Sequence, residues 1–177
     1  LISQTAFKSY DFSQVLYEYR TNQNEDYKSD YLDELISAVV TEDFRVAEKI
    51  AEKILNMDPD NQEAKLVQMS NAHKNNRLNN LNSLRLDSSK NKNELLEFLF
   101  YQNDKVKNKS SVSNSFLDIV RSSYANRDVN YSQNYNFLLF YASLSILINS
   151  QNFEAFFIKG QLLQLIDDFV FAEKTYL

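Results

Sequence analysis

One glycine, Gly160, and one proline, Pro59, are all that 177 residues contain. A strand-rich domain needs many tight turns, and the commonest of these recruit Gly or Pro. Helix connections do not, because Asn, Asp and Ser serve there, and this chain is rich in Asn, as at Asn75-Asn76 and Asn79-Asn80. The expected class is therefore all-α. With 44% apolar and 14% aromatic residues the chain can bury one ordinary core, so residues 1–177 are read as a single domain. Cysteine is absent, which excludes disulfides, a thiol nucleophile and thiolate metal sites.

A short phrase recurs three times: Asp11-Phe12 with Val15 and Tyr19, Asp43-Phe44 with Ala47 and Ala51, and Asp168-Phe169 with Ala172 and Tyr176. Each reads as a turn, an aromatic and then small or apolar positions at helical spacing. The aspartates are expected to cap helices. From about residue 31 to Val40, Tyr31, Leu35 and Ala38 form one apolar stripe and Leu32, Ile36 and Val39 another, which predicts neighbours on two sides. Pro59 closes the next helix at Met57-Asp58, and Asn61 opens a further one through Ala64, Val67, Ala72 and His73. Glu94 to Tyr101 predicts a helix, Asn103 to Lys109 a polar loop, Ser113 or Asn114 a helix start, and Phe137 to Ile148 a buried helix too short to cross a membrane. About ten helices are expected.

Tyr31, Leu35, Ala38, Phe44, Ala47, Ala51, Ile54 and Pro59 resemble one copy of the tetratricopeptide repeat, and Phe156, Gly160, Leu163, Phe169, Ala172 and Tyr176 resemble another. The resemblance implies a right-handed α-α superhelix, a solenoid of antiparallel helix pairs with an irregular middle. Its repeat-like units would be about 1–25, 28–60, 61–88, 93–125, 134–152 and 153–177, truncated at both ends as a piece of a longer, bacterial-style repeat protein. In such a solenoid the first helix of each pair lines a concave groove. The groove-facing places carry over to Leu32, Ile36 and Val39, to Leu66, Ser70, His73 and Lys74, and to Phe157, Gln161 and Gln164, which become the expected partner-binding residues. The glycine place of the repeat implies that Gly160 lets two helix backbones cross closely.

The formal charge of -5 is uneven, with a basic surplus over residues 64–127 between acidic flanks. Lys90, Lys92, Lys105, Lys107 and Lys109 supply much of that surplus from stretches read as loops. A solvated loop is preferred to a phosphate-binding surface, because no Arg cluster or interleaved aromatics accompany the lysines. His73 is the sole histidine and is expected to line the groove or stand exposed. No glycine-rich phosphate loop or serine elbow can be assembled. No catalytic residue, metal site or cofactor is therefore assigned, and the chain is expected not to be an enzyme. Among Tyr27, Tyr31, Tyr101, Tyr124, Tyr131, Tyr135 and Tyr141, an exposed minority would serve as binding anchors.

The leading expectation is non-catalytic protein binding or scaffolding, with a peptide or protein partner in the concave groove. Structural spacer repeats within a larger protein, and then an RNA-binding helical repeat, are the alternatives. Nucleic acid is disfavoured as a partner, no segment spans a membrane, and truncated ends could drive end-to-end self-association. No signal peptide is visible, so a cytoplasmic setting is preferred, or a periplasmic one if a signal precedes the sequence.

Overall fold

The computed structural model describes residues 31–77, 94–102, 105–125 and 135–176. The phrase at Asp11-Phe12, the expected unit at 1–25, and Tyr27, Lys90, Lys92 and Tyr131 lie outside them. Three helices end in the same turn. Helix α1 (Tyr31–Val40) is stopped by Glu42, which takes a left-handed conformation (φ 62°) so that the Asp43 amide reaches back to the Ala38 carbonyl at 2.9 Å. The Asp43 carboxylate then accepts the Val46 amide at 3.3 Å and caps helix α2 (Phe44–Met57). Asn76 (φ 55°) ends α3 (Gln62–Lys74), and Asp167 (φ 62°) ends α7 (Phe153–Leu165), by the same return bonds. Asp168 caps α8 (Phe169–Tyr176) through the Phe171 amide. The cap role expected of Asp43 and Asp168 is thus what their side chains perform.

Pro59 follows α2 as its position predicts, and Asn61 caps α3 through the Ala64 amide at 3.0 Å. The middle departs from expectation. After α4 (Glu94–Phe100) comes a two-residue antiparallel ladder of β1 (Tyr101–Gln102) and β2 (Lys105–Val106), pairing Tyr101 with Val106 and Gln102 with Lys105. Helix α5 (Lys109–Ala125) starts four residues before Ser113, because Asn108 accepts the Ser111 amide at 2.8 Å and acts as its cap.

Helix α6 (Tyr135–Ile148) organises the rest. Leu138, Leu139, Phe140 and every residue from Ala142 to Ile148 are buried, so the helix has no wet side. A helix apolar all round must be surrounded. Helices α1 and α3 pack on α6 from the N-terminal part, and α5 and α7 from its sequence neighbours. One hydrophobic cluster consequently runs from Leu35 to Ala172.

This packing overturns the expected superhelix. In a solenoid each pair touches only its neighbours and leaves a concave face open. Here eight helices among the described residues form a globular bundle in which α6 fills the space the groove would occupy. A repeat array, with its concave face, does not form. At Gly160 a Cβ would come 2.3 Å from the Tyr176 Cζ, so the glycine admits an aromatic side chain from α8.

An ion pair across 117 residues closes the bundle. Lys159 of α7 is 1% exposed, and its ammonium meets the Glu42 carboxylate at 2.6 Å, in the turn between α1 and α2. Burial pushes the Lys159 pKa below 10.5 and Glu42 pulls it back only in part. Removing the carboxylate should therefore cost more than removing the pair. Glu42→Gln is expected to lose about 2–3 kcal/mol, less than for a wholly buried pair because Glu42 stays partly wet, whereas Lys159→Met combined with Glu42→Gln should come within about 1 kcal/mol of the parent. Urea unfolding of the four members of this cycle measures both. The unfolded chain holds the Lys159 proton more tightly, so this residue's contribution to stability rises as pH climbs from its folded pKa towards 10.5.

The three left-handed turns allow a second comparison. Glycine at Asp167 should relieve backbone strain and stabilise by about 0.5–1 kcal/mol, net of its entropy cost. Glycine at Glu42 relieves the same strain but strands Lys159, so it should destabilise. Melting temperatures of Asp167→Gly and Glu42→Gly are expected to move in opposite directions.

Candidate functional site

Helices α5 and α7 both lean on α6, and polar contacts tie their N-terminal parts together. The Asn152 amide donates to Ser113 Oγ at 2.9 Å and to Asn114 Oδ1 at 3.2 Å. Ser113 Oγ in turn lies 2.7 Å from Ser145 Oγ on α6, and Ser145 Oγ donates to the Ser113 carbonyl at 3.0 Å. Small hydroxyl residues let the α5 and α6 backbones approach while satisfying their own buried polar atoms.

Further along α5, the Arg121 Nε donates to Glu154 Oε1 at 3.1 Å and Nη1 to Asp118 Oδ1 at 2.6 Å, with Nη2 also on Glu154. The Glu154 hydrogen bond is the main cause that raises the Arg121 pKa. These are exposed ion pairs, so they orient the guanidinium more than they stabilise the fold. Beyond them the helices part. Val120, Arg121 and Tyr124 of α5 and Ile158, Gln161, Leu162 and Leu165 of α7 line a cavity of about 180 Å³.

Val120 and Leu162 are the buried residues of its lining, and Tyr124 and Leu165 are about half exposed. Phe153 and Phe157 stand on the outside of α7, Phe153 at 82% exposure, and the Phe157 ring lies 6.3 Å from that of Tyr176. Phe169 and Val170 are exposed on the first turn of α8. The acidic groups held at the cavity edge are Asp118 and Glu154, both on Arg121.

The residues expected to line a groove divide into two sets. Ile36, Val39, Leu66, Ser70 and His73 are buried and Leu32 is half-buried, because α6 covers α1 and α3. His73 is neither groove-lining nor exposed, as its sequence position suggested, but 4% accessible. Lys74 is exposed, with its ammonium 5.4 Å above the Phe44 ring. Phe157, Gln161 and Gln164 are exposed on α7, and Gln161 borders the cavity. Arg121 and Leu165 were missed. The sequence signal for the site was Tyr124, the exposed member of the tyrosine set among the described residues, together with an apolar row on α7 that continues past its buried face.

Of the middle lysines among the described residues, Lys105 is exposed, whereas Lys107 and Lys109 reach backbone carbonyls. Lys107 donates to the Phe98 carbonyl and to Ser115 Oγ, and Lys109 to the Lys74 carbonyl at 2.6 Å. Both satisfy carbonyls at helix C-termini, where a cation is also favoured by the helix dipole. Both are half-buried, with their charges tied to these carbonyls. Among the described residues no group of three His, Cys, Asp or Glu side chains could hold a metal ion, and no helix is long and apolar enough to cross a membrane.

Comparison with known proteins finds no family model, no curated protein and no solved structure that matches the chain. The tetratricopeptide resemblance therefore has no support from a family match, and the packing of α6 against α1 and α3 contradicts it.

The serine pair should fix how α5 and α6 meet. Ser145→Ala is expected to cost about 1–2 kcal/mol, because it leaves the Ser113 carbonyl without that donor in a dry contact. Ser113→Ala combined with Ser145→Ala should cost less than the sum of the single changes, which a denaturation double-mutant cycle would read.

Proposed function

We propose that this chain is a non-catalytic protein-interaction domain that binds a basic amphipathic segment of a partner protein at the α5–α7 cavity. The observation that carries the reading is the apolar cavity between two helices, one of which, α7, also carries outward-facing Phe153 and Phe157. An apolar side chain of the partner would enter between Val120 and Leu162, and Tyr124 and Leu165 would close over it. Large anchors seated in such pockets dominate binding energy at protein interfaces. The charge of the rim selects the flanks. Arg121 is already held by Asp118 and Glu154, two carboxylates against one guanidinium, so Lys or Arg beside the anchor is favoured.

A panel of helical peptides with one central Leu or Phe, flanked by Lys or by Glu, tests the reading by titration against the whole chain. Lys-flanked peptides are expected to bind, to weaken with salt, and to lose at least tenfold in affinity to the Leu165→Asp variant, whose altered side chain is surface-exposed and leaves the core intact. Equal binding of Glu-flanked peptides, or unchanged affinity for Leu165→Asp, would overturn it. Absence of binding across the panel would favour the spacer reading.

A further inference from the structure

The end of α3 and the strand leading into α5 are joined by two hydrogen bonds of opposite direction. His73 Nε2 donates to the Lys107 carbonyl at 2.7 Å, and the Lys109 ammonium donates to the Lys74 carbonyl at 2.6 Å. The His73 ring is 4% accessible, sits 6.0 Å from the Phe100 ring, and has an Nδ1 atom with no hydrogen-bond partner among the described residues. With Nε2 committed as a donor, the neutral ring carries its proton there. A second proton would go to Nδ1, where burial and the missing acceptor both oppose it.

Among the described residues the surroundings offer no compensating charge. Lys109 is the charged group whose field reaches the ring, and it repels a second cation. The Lys107 ammonium is turned to Phe98 and Ser115, and that of Lys74 lies over Phe44. Helix α6, packed on α3, has no charged residue from Tyr135 to Ile148 and carries the phenols of Tyr135 and Tyr141 as titratable groups, burial opposing the ionisation of Tyr141. The charges of α2 at Arg45, Glu48, Lys49, Glu52 and Lys53 are exposed, as is Glu94 of α4, and Glu97 is half exposed.

We propose that His73 is a proton-operated latch: uncharged, it ties α3 to the segment entering α5, and mild acidification releases that tie. The direction follows from linkage. Burial holds the His73 pKa below 6.5, with the Lys107 hydrogen bond opposing and Lys109 reinforcing the shift. The opened state then binds the proton more tightly than the closed one. The latch is at full strength above pH 6.5 and weakens as pH falls from 6.5 through the lower, closed-state pKa, by up to about tenfold in the opening equilibrium per pH unit. Release frees the 73–77 turn and the hairpin without requiring the α5–α7 cavity to change.

His73 is the sole histidine, so its ring signals in an NMR titration are unambiguous. The test follows that titration together with amide exchange, corrected for intrinsic rates, at Arg77 and Lys107, whose amides close the two segments on the Ala72 and Phe100 carbonyls. The comparison is His73→Gln, which keeps a side-chain N–H donor and cannot take up the proton. The expected result is a ring midpoint below 6.5 and a loss of protection at both amides of about three- to tenfold between pH 6.5 and 5.5 in the parent, absent from His73→Gln. A midpoint at or above 6.5, constant protection, or the same loss in His73→Gln would overturn the latch. Should the variant not fold, the parent decides alone: exchange tracking the ring titration supports the latch, and exchange independent of it refutes it.

Discussion

The helix with no polar face sets the terms for every other element. Residues Leu138 to Ile148 present apolar side chains or small hydroxyls in all directions, apart from half-buried Tyr141. Leaving any side in water would forfeit roughly 25 cal/mol for each Å² of apolar surface kept wet. Two sequence neighbours, α5 and α7, cannot enclose a cylinder, so α1 and α3 must come back across the chain to complete the cover. That requirement converts what could have been a row of stacked pairs into a bundle. It also explains why the stripe Leu32, Ile36 and Val39 exists: it gives α1 a second apolar side, available to α6 as well as to α2.

Hydrophobic cover alone is non-directional, and many arrangements of eight helices would satisfy it. Buried polar groups narrow the choice, because each must meet a partner or incur a desolvation cost. Lys159 can be buried only where a carboxylate waits, and Glu42 is delivered to it by a left-handed turn. Lys65 repeats the device locally, with a buried stem and its ammonium 3.0 Å from Asp60. Ser113 and Ser145 exchange hydrogen bonds at one register of α5 on α6, so sliding either helix by a turn would break them. Ser70 and Ser143 hydroxyls, by contrast, have no hydrogen-bond partner among the described residues, which makes the α3 and α6 surfaces polar places of the core that contribute less to this selection.

What could be read in the sequence was local. The ends of α1, α2 and α3, the caps at Asp43, Asn61 and Asp168, the stop at Pro59 and the burial of the Phe137 to Ile148 segment follow from spacing within a few residues. The superhelix failed because the same local code, a helix and turn with small residues at Ala47 and Ala51, serves any helical hairpin and says nothing of what covers it. The absence of a wet side on α6 was visible and was the evidence against an open groove. Lys159, Arg121 and the early start of α5 at Asn108 were not visible. Their partners lie on other elements or, for Asn108, in a cap within a polar run that resembles a loop.

The place of the candidate site follows from how α7 is used. Its inner residues Ala155, Lys159, Leu162 and Leu163 belong to the core, and α8 lies along it because Gly160 makes room for the Tyr176 ring. That ring reaches Phe157, while Phe153 and the Leu165 side chain remain exposed. Exposed apolar residues scattered singly, such as Met57 and Phe98, need no explanation. Leu165 on α7 differs because it lines a cavity that also includes buried Val120 and Leu162, with the Arg121 pairs at one edge. Covering α6 accounts for the inner residues of α7 but not for the apolar cavity on its outer side, where the exposed Arg121 pairs orient the guanidinium at one edge.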